Sequence, residues 1–368
     1  MAKGRVRLEQ ALTVRLRERV TASGGSIPFS AFMEDCLYHP DFGYYATGRQ
    51  VVGRAGDFYT SVSTGALFGR LLADGFYQVW LELGRPAAWQ IVEQGANRGD
   101  LAADVLARLR ELDAAAWRAC EYVIVEPFPA LQEAQRRTLT VAGCAEKLRL
   151  APSLSALPGH SIRGVLFSNE LPDAFPVRCV KFGGGRWLER RVAWDAGGEK
   201  FVWHEEPCAP ELWSTIQEWQ IPALEGYCAE VSPLMVKWAG EAASRLSAGI
   251  FLTIDYGGTS EELYRLDRPA GTLRAYRQHQ QMTEVLAAPG GQDLTAHVNF
   301  TRLIVSGARH GLRLQEYSDQ HHYLVKLGQL RFFKEMEHAP SAKLLREYQT
   351  LTHPSTLGTV FKALTMTV

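Results

Sequence analysis

The residues of this chain best placed for chemistry stand at the ends of short apolar runs. Ile91 and Val92 lead into Glu93-Gln-Gly-Ala-Asn-Arg-Gly99, and Leu101, Val105, Leu106 and Leu109 then recur at helical spacing. Strand, glycine turn and helix in that order form the first half of a βαβ nucleotide site. Glycines let the backbone approach a ligand, and the helix start offers free N–H groups to it. The spacing of Gly95 and Gly99 matches neither GxGxxG nor the P-loop. Taken alone, the turn leaves nucleotide or nucleoside binding level with a plain strand–helix connection.

Further acids occupy equivalent positions. Glu126 ends the run Tyr122-Val-Ile-Val125, followed by Pro127. It is placed either to accept both hydroxyls of a ribose or to stand as a surface acid at a strand terminus. Gly164-Val-Leu-Phe-Ser168 leads to Asn169-Glu170, with Asp173 three residues on, and Gly249–Ile254 leads to Asp255. Glu170 and Asp173 could converge on one cation, or could cap a helix with one acid in solvent. His297 is either a proton relay or a satisfied core histidine. His321-His322 has no plausible metal partners, so no metal site is read.

The elements that must position these residues follow from periodicity. An Arg-rich amphipathic segment carries Val6, Leu8, Leu12, Leu16 and Val20, and is read as a docked surface helix rather than a presequence. A short helix through Phe32, Met33 and Leu37 precedes an aromatic loop, Tyr38–Tyr45, and then Gly56-Asp-Phe-Tyr-Thr-Ser61. Loops of this length are often functional; an aromatic lid on a sheet edge is the alternative. Leu67–Leu83 reads as an amphipathic helix. Residues 178–208 read as antiparallel hairpins around Gly183-Gly-Gly185, and 210–219, 233–247 and 300–310 as helices. Arg274–His279 reads as a loop, Leu312–Leu314 and Tyr323–Leu327 as strands, and Leu357–Met366 as the apolar close of a helical C-terminal part. The expected segments are 1–86, a helical region over the ligand; 87–177, the first part of the core; 178–248, an inserted hairpin and helical segment; and 249–368, the rest of the core.

Composition narrows the class. Lys plus Arg and Asp plus Glu number 40 each, so no net field favours nucleic acid or an anionic membrane, and neither partner is expected. Hydrophobic residues at 46% and charged residues at 22% fit a globular protein, and no apolar run is long enough to span a membrane. The six cysteines are scattered without CxxC spacing, which fits a reduced, cytoplasmic protein.

With these pieces placed, the chain resembles the MidA-like family of S-adenosylmethionine-dependent methyltransferases, whose mitochondrial members are protein-arginine methyltransferases assisting assembly of respiratory complex I. The resemblance runs through His39-Pro-Asp-Phe-Gly-Tyr-Tyr45, Gly56–Ser61, Leu67-Phe-Gly69, the glycine turn and Asn169–Val177. It continues through Ile254-Asp-Tyr-Gly257, Asp293–Phe300 and Leu357–Lys362, nearly the whole chain. It implies an α/β fold of the class I, Rossmann-like kind, with a mostly parallel twisted sheet, and S-adenosyl-L-methionine as cofactor. It also implies that Glu93, Gly95, Ala96, Asn97 and Gly99 form the cofactor turn and that Glu126, with Pro127, is the ribose acid. Gly56, Asp57 and Thr60 map to a loop closing on the cofactor, and Asn169-Glu170 to the post-strand loop near the methyl group. If the acceptor is an arginine, Glu170 and Asp173 are the expected orienting acids, with Asp255 behind them. A small-molecule acceptor and a non-catalytic assembly protein are the alternatives, and a homodimer is left open. Two departures stand out. Ala96-Asn97 replaces the family's Pro-Gly, where Asn tolerates left-handed angles, and Val62-Ser63-Thr64 replaces Pro-Glu-Ile, losing a carboxylate.

Overall fold

A seven-strand run of sheet carries most of the acids singled out above. The structure, a computed structural model, describes residues 2–46, 60–277 and 280–368. The chain forms two units, each packed within itself. The sheet unit is Val52–Leu171, Lys237–Gly257 and Leu303–Val368; the hairpin unit is Met1–Val51, Pro172–Val236 and Gly258–Arg302. The expected breaks at 86, 177 and 248 follow composition, whereas the units divide by packing. Helix Leu67–Glu82 therefore lies in the sheet unit, and residues 258–302 lie in the hairpin unit.

We label the strands of the large sheet in chain order: β1 Trp89–Gln94, β2 Cys120–Val125, β3 Leu148–Ala151, β4 Ile162–Asn169, β5 Leu246–Gly258, β6 Arg313–Asp319 and β7 Phe361–Thr367. Their spatial order is β6-β7-β5-β4-β1-β2-β3. β1 runs parallel to β2 and β4, β2 to β3, and β4 to β5; β7 alone is antiparallel, to β5 and β6. The inner strands are unbroken apolar runs because parallel strands are covered on both faces. The chain lays down β1, β2 and β3 in one direction, then returns to place β4 on the other side of β1. That reversal opens a crevice at the carboxyl ends of β1 and β4.

Gln90, Gly164 and Gly249 lie side by side across β1, β4 and β5. A Cβ on Gly164 (φ +146°) would sit 2.1 Å from the Gln90 carbonyl oxygen. One on Gly249 (φ +108°) would sit 1.9 Å from the carbonyl oxygen of Gly164. Only glycine allows this approach.

Three helices of this unit are α1 Leu67–Glu82, α2 Asp100–Leu112 and α3 Pro129–Val141. Phe76 of α1 meets Phe167 of β4 with ring centroids 5.1 Å apart. Arg108 of α2 clamps buried Asp74 of α1 through two hydrogen bonds, Nε–Oδ1 at 2.8 Å and Nη2–Oδ2 at 3.2 Å.

Two expectations for the C-terminal part are corrected. Tyr323–Leu327 is not a strand; it lies in the helix Gln320–Leu330. Asp319 caps that helix by accepting from the His322 N–H at 2.9 Å, and Tyr323, Leu324 and Leu327 share its buried face. The segment around Leu357–Met366 does not close a helix; most of it is β7. Ala363 to Met366 are buried because β7 is inserted between β5 and β6, and such a run does not reveal its period.

In the hairpin unit, Arg186–Asp195 pairs with Arg178–Gly183, Lys200–Pro207 and Ser26–Pro28. The expected loop from Arg274 is instead a strand, Arg274–Arg277, between Gln280–Met282 and Asp293–Thr295. Helix Ala2–Ala22 buries Leu12, Leu16 and Val20, the stripe legible in the sequence. Among the described residues no helix is long and apolar enough to cross a membrane.

Candidate functional site

The turn after β1 holds three left-handed residues in five: Gly95 (φ 86°), Asn97 (φ 45°) and Gly99 (φ 85°). Asn97 thus takes the conformation that its side chain tolerates and that Pro-Gly would otherwise supply. The Gly99 N–H donates to the Ala96 carbonyl at 2.7 Å and closes the turn. Gly99 then starts α2 with no side-chain cap, so no capping side chain competes with a ligand for the first-turn N–H groups. Glu93, at the end of β1, is 2% exposed, and its Oε2 accepts from the Tyr122 hydroxyl at 2.7 Å. Burial pushes this carboxyl up to about 7, against the Tyr122 hydrogen bond and with help from the charge of Asp100.

Glu126 follows β2 and is also buried. Its Oε1 accepts from the Phe128 N–H at 3.0 Å and its Oε2 from Gln135 Nε2 at 3.1 Å. Burial pushes it up to about 7, while the two donors pull it down. Pro127 is exposed beside it.

At the end of β4, Asn169 Nδ2 donates to Glu170 Oε1 at 3.0 Å. Its Oδ1 is buried and meets no donor among the described residues. Glu170 is left-handed (φ 51°), a strained conformation for its type, and its N–H donates to the Ile254 carbonyl of β5 at 2.9 Å. Asp255 is fully buried in β5 and accepts from the Tyr256 N–H at 2.8 Å.

Asp173 belongs to the hairpin unit, in the 3-10 turn Pro172–Ala174. Its carbonyl accepts from the Ala296 N–H at 2.9 Å. Nearby, the Tyr45 hydroxyl lies 2.9 Å from both carboxylate oxygens of buried Asp293. Burial, with the Asp293 and Asp173 carboxylates adding to it, holds the Tyr45 hydroxyl well above its ordinary range. Tyr38 stacks on Tyr45 at 5.8 Å and donates to the Ala174 carbonyl. This grouping joins residues 248 positions apart in sequence, and no sequence signal pairs Tyr45 with Asp293. Gln135 was equally unmarked, since it lies on the buried face of an ordinary helix. His297 in this unit is pushed down to about 4 by burial and by Arg268 and Arg274, so it is neutral at pH 7. Thr60, in the sheet unit, is buried and uses its hydroxyl locally, accepting from the Ser63 N–H at 3.2 Å. Gly56 and Asp57 lie outside the described residues.

The sheet unit suits an adenosyl group on its own atoms. Glu126 offers a buried carboxylate beside the crevice, and Asn169 Oδ1 is an acceptor short of a donor. The left-handed turn brings main chain rather than side chains forward.

Comparison with known proteins points the same way. The model of the S-adenosyl-L-methionine-dependent methyltransferase family matches residues 71–318. The mitochondrial protein arginine methyltransferase NDUFAF7 of Rattus norvegicus is 30% identical over 368 residues, 92% of this chain and 80% of its own length. The NDUFAF7 homolog of Drosophila melanogaster is 29% identical, covering 97% of this chain and 84% of that protein. A crystal structure of a Burkholderia thailandensis protein bound to S-adenosyl-homocysteine superposes with a TM-score of 0.89 at 31% identity, over 99% of this chain and 94% of that one.

Proposed function

The chain belongs to the S-adenosyl-L-methionine-dependent methyltransferase family, and from that premise we propose that it methylates arginine side chains of a protein. The observation that carries the cofactor half of this reading is the left-handed turn 95–99 at the carboxyl end of β1, where the strand order reverses. The acceptor half is supported by the relatives named protein arginine methyltransferases.

When bound, S-adenosyl-L-methionine supplies a methyl group on a positively charged sulfur. The chain's own residues have to bind, orient and exclude water. Glu126 would accept from the ribose hydroxyls, the turn 95–99 with the start of α2 would hold the amino-acid end, and Asn169 Oδ1 would accept from a donor of the bound cofactor. A guanidinium stays protonated at neutral pH, so its nitrogen must be aligned by carboxylates and must give up a proton as the methyl arrives. Glu170, on the loop after β4, is the acid we assign to that task; Asp255 supports the loop that carries it.

Two measurements test the reading. Calorimetry with S-adenosyl-L-methionine should detect binding, and Glu126→Ala should weaken it by about 1–3 kcal/mol. No heat at millimolar cofactor removes the enzyme reading, and unchanged affinity in Glu126→Ala removes the ribose assignment. Tritiated-methyl transfer into a lysate should label protein in an acid hydrolysate as methylarginine. Label confined to small molecules would overturn the protein acceptor.

A further inference from the structure

Gln135 of α3 is fully buried, yet the chemistry assigned above makes no use of it. Its Nε2 donates both to Glu126 Oε2, at 3.1 Å, and to the Asn97 carbonyl oxygen, at 2.8 Å. A carbonyl can only accept, as can an ionised carboxylate, so the amide has one orientation, with nitrogen toward both partners and Oε1 away from them. Oε1 is buried and meets no donor among the described residues. Leaving that oxygen unsatisfied costs free energy, so a purely packing role would be better filled by an apolar side chain. The residue also packs directly on the turn: a Cβ on Gly99 would lie 3.4 Å from Gln135 Cα and 3.5 Å from its Cγ, ordinary van der Waals contact.

We infer that Gln135 is a positioning residue for the adenosyl cofactor, tying the ribose acid Glu126 to the carbonyl of Asn97 so that acid and turn form one preformed surface. The inference rests on Glu126 being the ribose acid. The Phe128 N–H holds one oxygen of that carboxylate and Gln135 the other, which fixes its plane and leaves defined lone pairs for two hydroxyls. The same amide anchors the peptide of Asn97 in its left-handed conformation, where no glycine stands to make that conformation easy. One side chain thus braces the least regular part of the turn against the acid across from it.

The test is S-adenosylhomocysteine affinity by calorimetry from pH 6 to 9, with the melting temperature of each apo protein. Gln135→Met, Glu126→Ala and the double variant are compared with wild type. Gln135→Met keeps the length and removes the donor; it should weaken binding about tenfold while the protein stays folded. Burial and the Phe128 and Gln135 donors set the Glu126 titration, so losing one donor should move the acid edge of binding to higher pH. In the Glu126→Ala background Gln135→Met should cost clearly less than tenfold, because the share of its effect that passes through that carboxylate is already lost and only the tie to the Asn97 carbonyl remains. If Gln135→Met fails to fold, Gln135→Glu sets a second acid beside Glu126 and should raise the acid edge further.

Wild-type affinity in Gln135→Met, an unmoved acid edge, or a full tenfold loss in the Glu126→Ala background would overturn the inference. Weakened binding in Glu126→Ala with Gln135→Met at wild-type level removes the role of Gln135 alone. No effect of Glu126→Ala removes the ribose assignment and the inference with it.

Discussion

Replacing Glu93 by Gln should abolish a specific pH dependence of stability. In the folded chain burial raises this carboxyl from its ordinary 4.5 to about 7, because 2% exposure leaves little water to solvate the charge. Below pH 4.5 the acid is protonated in both the folded and unfolded states and costs nothing. Between 4.5 and 7 the unfolded chain releases the proton while the folded chain keeps it, so stability falls as pH rises, and the loss is complete above 7. A rise of 2.5 units at 1.36 kcal/mol per unit amounts to about 3 kcal/mol. Gln is close in shape to the protonated acid and can still accept from the Tyr122 hydroxyl, which lies 2.7 Å from Glu93 Oε2. Wild type and Glu93→Gln should therefore match near pH 4, and the variant should be more stable by about 3 kcal/mol at pH 8. With an unfolding entropy of about 2.1 cal/mol/K per residue, that is a difference of roughly 4 °C in Tm. The assay is thermal and denaturant unfolding of the apo protein across this range. Asp104, which burial also raises to about 6, titrates in both proteins and cancels in the difference. Parallel stability curves, or a wild type that gains on the variant as pH rises, would refute the burial argument.

Three further outcomes are expected. Arg108→Met should destabilise the apo protein by about 3–5 kcal/mol, because Asp74 would stay buried with its charge uncompensated; adding Asp74→Leu should restore much of that loss, as read by denaturant midpoint. Gly164→Ala should cost at least about 3 kcal/mol or prevent soluble expression, because the new Cβ would meet the Gln90 carbonyl at 2.1 Å on a backbone with φ +146°. Glu170→Gln should lower kcat/KM for a protein acceptor at least tenfold while the cofactor still binds; equal activity would remove Glu170 from the acceptor chemistry.

What the sequence by itself determined is what depends on neighbours in the chain. The run to Glu93, the glycines at 95 and 99 and the helix from Asp100 were legible because strand, turn and helix signals are local, and Asn97 takes the left-handed angle that its residue type allows. The same holds for the acids that follow β2 and β4, since each closes its own apolar run; Asp255 instead lies inside β5, which runs on to Gly258. The class I fold was what the family resemblance carried by these stretches implied, beyond what any one of the local signals shows.

Tertiary structure decided the rest. Tyr323–Leu327 is helical because Asp319 caps it and its apolar face finds a partner in the fold, and β7 is a strand because β5 and β6 receive it on both edges. The pairing of Tyr45 with Asp293, and the clamp that Gln135 places on Glu126 and Asn97, depend on folded distance alone. For the turn 95–99, residue types alone permitted the bend; it took the packing of α3 to put a buried amide behind it. A hydrogen bond is specified by direction and separation in space, which spacing along a chain encodes only within a turn or two.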